Sequence, residues 1–372
     1  TDMSVLQLGG DASFAAKTTA AAGNDFFIAR NAYWDSTNNR WEYMSTNGDD
    51  EAERIVMANG TYSFDLTGTA GADDAAITFT TALLLDANSR ISLSNRDAGT
   101  SNTVLGYQAG NLIASGDNYN VFIGHQVAVA DMTNATQNIG MGYQSLNGLT
   151  TGDSNVCVGS SSGYAITTAN KTIFIGHSAG QAVTVTGGSN VSDGTVGIGH
   201  QALSALTSGE GNVAVGYTAL AAVNTGSKNT AIGHVAGDAI TSQTRNTYVG
   251  YGTGTGGSNV ADSVVAIGCE AGNNNLAATA DGSVLIGDKA GYALTSGAGN
   301  TAVGYLAATD ITTGQANTVM GYEALTNAQT GVSFCTAIGY RAGYKLGDDG
   351  GSDHSEYNTA IGYKAMGGGH DT

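Results

Sequence analysis

The stretch Asn358-Thr359-Ala360-Ile361-Gly362-Tyr363-Lys364-Ala365 decides the fold, because it keeps returning along the chain. It recurs as Asn229-Thr230-Ala231-Ile232-Gly233-His234-Val235-Ala236 and as Asn212-Val213-Ala214-Val215-Gly216-Tyr217-Thr218-Ala219. Aligned on the central glycine, there are fifteen copies: Gly106, Gly124, Gly142, Gly159, Gly176, Gly199, Gly216, Gly233, Gly250, Gly268, Gly287, Gly304, Gly321, Gly339 and Gly362. Successive glycines lie 17 to 19 residues apart, with two steps of 23. Self-similarity at a fixed period is the signature of a repeat architecture.

The columns have a physical reading. The residue before the glycine is always Ile, Val, Leu or Met, and the residue three before it is always Val, Ile or Thr. Side chains two apart share a strand face, so these two columns are expected to form the inner face. The residue four before the glycine is Asn in ten of fifteen copies, a residue that suits turns. The glycine itself implies positive φ or close approach of a neighbouring coil. Most copies carry another apolar residue seven after the glycine, such as Ile113, Leu149, Val223 or Ile311, followed by a Thr/Ser-Gly turn such as Thr225-Gly226. Each copy is therefore expected to hold two short strands and two turns. A unit so small cannot bury its own apolar face and must stack on its neighbours. The reading is an all-β chain, with a parallel β-roll or β-solenoid of about fifteen coils spaced about 4.8 Å apart, on the order of 70 Å long.

Two further columns are surplus to an inner face so drawn. Three residues after the glycine, eleven of fifteen copies have Ala. One after it, eight have Tyr and four have His. These columns are expected to pack between chains. The candidates for trimer packing are Tyr107, His125, Tyr143, His177, His200, Tyr217, His234, Tyr305, Tyr322, Tyr340 and Tyr363.

Composition fits a stack of coils. The chain has 372 residues, 56 glycines and no proline, and only 12% of its residues are charged. Proline would remove a ladder donor. The net charge of −18 argues against a nucleic-acid partner, and no apolar run is long enough for membrane insertion. Cys157, Cys269 and Cys335 have no metal-ligand spacing and read as three buried thiols.

Residues 1–100 differ from 101–372. They hold 8 of the 56 glycines, both tryptophans and 5 of the 8 phenylalanines. They read as a β-hairpin-rich module, with turns within Trp34–Trp41 and at Asn59-Gly60. Strand-like alternation marks Ala76–Thr80 and Arg90–Ser94. A short helix is expected near Ala12–Ala22. The solenoid repeats then fill 101–372.

The Asn-Thr-Ala-Ile-Gly-Tyr-x-Ala units resemble the head repeats of trimeric autotransporter adhesins. They are still more similar to repeats of bacteriophage tail-fibre proteins, marine and cyanobacterial phages above all. Gly9–Ala15, Asn39–Tyr43 and Leu84–Ile91 look like modules that precede such repeats in phage fibres. The resemblance implies a left-handed, trimeric β-roll. It also implies a structural fibre protein on the virion tail, one that attaches to a glycan or protein receptor on the host surface and joins other tail or baseplate proteins. A bacterial outer-surface adhesin head is the alternative. The adhesin head unit is typically shorter than 17 residues, and that family's membrane-anchor barrel has no counterpart here. No fibre-end chaperone domain is visible after Gly369, so a processed or incomplete chain is expected.

The residues themselves offer little chemistry. His125, His177, His200 and His234 fall in the Tyr column, so replacement of Tyr in a packing row is a plainer reading than a metal site. Longer loops span 184–194 and 347–357. The second is read as a solvated acidic loop, with Asp348, Asp353, His354 and Glu356 as candidates for a Ca²⁺ site. No catalytic residue and no cofactor are implied. Polysaccharide cleavage needs two carboxylates about 5–9.5 Å apart, whereas Glu270, Asp288 and Glu323 stand singly in their coils. An ice-binding face needs aligned Thr pairs, and the Thr pairs here do not align.

Overall fold

The computed structural model describes residues 3–8, 12–18, 24–35, 40–43, 52–58, 61–67, 75–85, 91–93, 101–184, 193–256, 260–274, 276–327, 331–346 and 356–367. The chain divides into two units, Thr1–Asp97 and Ala98–Thr372.

The first unit is an antiparallel sheet in the order β1 (Met3–Leu8), β2 (Ala12–Thr18), β3 (Asn24–Arg30), β6 (Glu53–Ala58), β7 (Thr61–Leu66), β8 (Thr80–Leu85) and β9 (Ile91–Leu93). A hairpin of β4 (Ala32–Asp35) and β5 (Arg40–Tyr43) intervenes between β3 and β6. Residues 12–18, expected as a helix, are strand β2, paired on both edges by β1 and β3. Pairing on two sides outweighs the helix preference of an Ala-rich run. Ala76–Thr80 is likewise no regular strand. Ala76 makes an isolated bridge to Glu42, and the strand begins only at Thr80. The expected turns at 36–39 and 59–60 lie outside the described residues.

Aromatic edge contacts organise the small core of this unit. The Trp41 ring lies 5.4 Å from Phe27, 5.9 Å from Trp34 and 6.0 Å from Phe79. The Arg54 guanidinium sits 4.1 Å from the Phe79 ring centre, while its Nε donates to Asp65 Oδ2 at 2.8 Å. The other oxygen of the buried Asp65 accepts from Thr81 Oγ1 at 2.8 Å. A buried carboxylate paired and hydrogen-bonded in this way avoids the cost of an uncompensated charge.

The second unit is a parallel β-solenoid. Fifteen three-residue strands, from β10 (Thr103–Leu105) to β24 (Thr359–Ile361), form one sheet in strict sequence order. The register is constant, so that Thr230 pairs with Thr247 and Ile232 with Val249. Each coil has one strand rather than the two expected. The apolar residues seven after the glycine, such as Leu149, Leu206 and Ile240, are buried but lie in turns. Backbone bonds still join these turns to the next coil, as from Thr207 N to Asn224 O at 2.8 Å.

The inner and outer faces are the reverse of expectation. In all fifteen strands the middle residue is buried and its two neighbours are accessible. The inner row is thus Val104, Phe122, Gly140, Cys157, Phe174, Gly197, Ala214 and onward, two before the glycine. The Ala column, expected between chains, is buried inside the coil, with Ala179, Ala219, Ala236 and Ala307 fully enclosed. The interior is narrow, and its volumes compensate from coil to coil. A Cβ on Gly180 would lie 2.5 Å from the Phe174 ring, and one on Gly197 2.8 Å from it. Tyr248 is fully buried where Gly237 and Gly254 leave room. Such interlocking follows from the close packing of protein interiors.

The Asn column forms a buried ladder rather than a set of turns. Asn138 Nδ2 donates to Asn120 Oδ1 at 3.1 Å and to Gly152 O at 2.8 Å. Asn155, Asn229 and Asn317 repeat both bonds. One bond ties a coil to its neighbour and the other closes the coil on itself.

Candidate functional surface

The outward positions of the sheet carry the residues expected in its interior. Three before the glycine stands a row of Thr, Val and Ile; one before it stands a row of Ile, Val, Leu and Met. Among the most exposed are Leu105, Ile232, Met320 and Ile361. In-register β-branched side chains shield one another from coil to coil, which keeps most of the stripe half-buried even with nothing over it. One signal in the sequence distinguishes the faces. The residues two before the glycine are all apolar or Tyr, whereas the column three before it admits Thr in seven copies.

Beyond the aliphatic rows runs a row of backbone. The central glycines are all at least partly accessible and have φ between +120° and +143°. A Cβ on any of the first fourteen would lie 2.1–2.6 Å from the carbonyl oxygen of the next glycine in the column. Both reasons anticipated for this column, positive φ and close approach, therefore operate together.

Next to the glycines stands the Tyr/His column. Its rings stack on one another along the coil axis in three runs. Tyr107, His125 and Tyr143 are 5.1 and 5.4 Å apart. His177, His200, Tyr217, His234 and Tyr251 follow at 4.9–5.5 Å. Tyr305, Tyr322, Tyr340 and Tyr363 form the third, at 5.0–5.4 Å. The four histidines occupy the ring positions of this ladder, and Tyr251 joins the residues named from the sequence. Ser160 interrupts it once, and Cys269 with Asp288 once more. One residue further on, side chains pair between coils. Gln126 Nε2 donates to Gln108 Oε1 and Gln144 Nε2 to Gln126 Oε1, both at 3.1 Å. Lys289 lies 3.5 Å from Glu270, and Arg341 Nε donates to Glu323 Oε2 at 2.5 Å.

Acids at the opposite corner are structural acceptors. Asp117 takes the amide protons of Ala114 and Ala135, and Asp153 Oδ1 takes those of the Thr136 amide and hydroxyl. Among the described residues no three His, Cys, Asp or Glu side chains come together as metal ligands. Asp348, Asp353 and His354 lie outside the described residues, as does most of the loop at 184–194; Glu356 is exposed.

The cysteines are not three buried thiols. Cys157 and Cys335 are buried, but Cys269 is exposed, because its column faces outward. Burial pushes the Cys157 thiol up to about 12. Cys269 is raised as well, by partial desolvation and then by the negative charges of Asp288 and Glu270.

Among the described residues no helix is long and apolar enough to cross a membrane. Comparison of the chain with family models, curated proteins and solved structures gives no match.

Proposed function

We propose that the chain is a structural fibre protein that attaches a virion to its host cell surface, assembled as a homotrimer through the outward aliphatic rows of its solenoid. The observation that carries this reading is the outward face of the fifteen-stranded sheet, where an unbroken row of Ile, Val, Leu and Met runs beside a row of Thr, Val and Ile. At about 4.8 Å per strand and about 10 Å across two outward side chains, the stripe covers roughly 700 Å², near the about 800 Å² per partner of a stable interface. Contiguous apolar patches of that size mark interaction surfaces. The Tyr/His ladder borders the stripe and stays accessible beside it. The net charge of −18 keeps such rods from associating indiscriminately. Attachment then gains from avidity, because three linked chains multiply weak contacts.

The resemblance of the repeats to phage tail fibres supports a place on the virion, next to tail or baseplate proteins. Gold-labelled antibody against the chain is expected to decorate virion tails, and fluorescent protein is expected to bind bacterial cells saturably. Decoration of bacterial surfaces instead would move the chain to the adhesin reading. Absence of cell binding would remove attachment altogether.

A further inference from the structure

We propose that the break in the ring ladder at Ser160 is a binding slot for one neutral pyranose unit of a glycan. This deepens the attachment reading and rests on it for its biological meaning. The inference starts from the spacing of the ladder. Wherever consecutive coils carry rings in this column, the ring centres stack at 4.9–5.5 Å with planes within 28° of parallel. Tyr143 and His177 end two such runs and stand two coils apart. That separation is about 10 Å at a rise of about 4.8 Å per coil. Only Ser160 lies between them, so the gap has the height of one missing ring.

Both walls are available. Tyr143 is 50% exposed and His177 is exposed, and each turns one ring face, unstacked within the ladder, toward the gap. Ser160 and Ser161 are partly accessible at its floor and side, with the Gln144 amide one column over.

The height admits one six-membered ring, since the ladder's own rings stand 4.9–5.5 Å apart. The groups beside the slot select among such rings: a pyranose chair meets both walls through its C–H groups, and its hydroxyls lie beside the Ser160, Ser161 and Gln144 side chains. The chain's net charge of −18 disfavours anionic guests such as nucleotides. The second break, between Tyr251 and Tyr305, spans three coils, about 14 Å, and carries Asp288 and Glu270. No single ring reaches both of its walls.

The test is saturation-transfer NMR of the full chain with methyl glucoside, methyl galactoside and methyl N-acetylglucosaminide as separate probes. At least one is expected to bind and to shift the ring resonances of Tyr143 and His177. Ser160→Tyr fills the slot with the residue that eight other coils carry there, so the fold is kept and affinity is expected to fall at least tenfold. Tyr143→Ala should do the same, while Tyr322→Ala, in an unbroken run, should change nothing. Failure of all three probes to bind, or unchanged affinity in Ser160→Tyr, overturns the slot. Adsorption of labelled protein to cells separates the two readings. Sugar binding that Ser160→Tyr abolishes, without any adsorption of the unsubstituted chain, supports the slot and removes attachment. Adsorption without sugar binding overturns the slot and leaves attachment standing.

Discussion

Gly216 lies so close to Gly233 in the next coil that a Cβ on the first would come 2.1 Å from the carbonyl oxygen of the second. The obstacle is backbone, which cannot swing aside, and φ at Gly216 is +143°. Gly216→Ala is therefore expected to cost about 3 kcal/mol or more, from strain in a glycine-only region plus the clash. Gly362→Ala provides the comparison, since φ there is +120° but no atom lies within 4 Å. Thermal unfolding followed by circular dichroism should show a large loss for the first variant and a small one for the second.

The Asn ladder predicts a graded series at position 229. Asn229 donates to Asn212 Oδ1 at 3.1 Å and to Gln243 O at 2.8 Å, and accepts from Asn246 N at 3.0 Å. Asn229→Ala leaves buried partners unmatched and should cost about 2–4 kcal/mol. Asn229→Thr should cost less, because Thr172 occupies the same column and bonds Asn155 Oδ1 through its hydroxyl at 2.8 Å. Chemical denaturation of the two variants measures the difference. Equal losses would remove the side-chain ladder as a source of stability.

Thiol reactivity should separate the cysteines. In the native protein a disulfide reagent is expected to modify Cys269 alone, and Cys157 and Cys335 only after unfolding. Because desolvation and the charges of Asp288 and Glu270 raise Cys269, its modification should keep accelerating above the pH at which an ordinary thiol saturates. Asp288→Asn should move that profile to lower pH. Cys157 sets a stability limit of its own. Its folded value of about 12 lies above the ordinary 9.0, so the preference for the folded state is fully present below pH 9.0. It is lost as pH rises toward about 12, at about 1.4 kcal/mol per pH unit. Cys157→Ala should flatten that part of the pH profile.

The period, the glycine column and the parallel stacking were legible in the sequence because they are repeated fifteen times. Which side of the strand faces inward was not. Alternation of period two fixes which residues share a face but leaves the choice of face open, and a slip of one residue exchanges the two. Here the uniformly aliphatic column before the glycine points outward, and the Thr admitted in seven copies three before the glycine is the one mark of that face. The inner column tolerates Gly140, Phe174 and Tyr248 because neighbouring glycines adjust the volume around each ring. The Ala column lies inside for the same reason: with the aliphatic row outward, the narrow interior holds the small side chains. The second apolar column, around Leu149 and Ile240, is buried as its pattern suggested, but in turns, because a coil of 17–18 residues closes without a second strand. The ring ladder could be listed as a column from sequence. That its members stack on one another depended on the constant register of the sheet.

Outward placement of Ile232 and its row also predicts how substitutions divide. Ile232→Lys should leave the coil folded and weaken association. Ala231→Leu, one residue away and fully buried, should overpack the interior at a cost of about 1–3 kcal/mol. Far-ultraviolet circular dichroism and thermal unfolding distinguish a folded, dissociated chain from a destabilised one.

Sedimentation equilibrium of the unsubstituted chain tests the central claim most directly, that the outward aliphatic stripe is an interface between copies. The account predicts a mass three times the 37.3 kDa of one chain, falling toward a single chain when Ile232 and Val249 are both replaced by Lys. A stable, folded species of 37.3 kDa at micromolar concentration would contradict it.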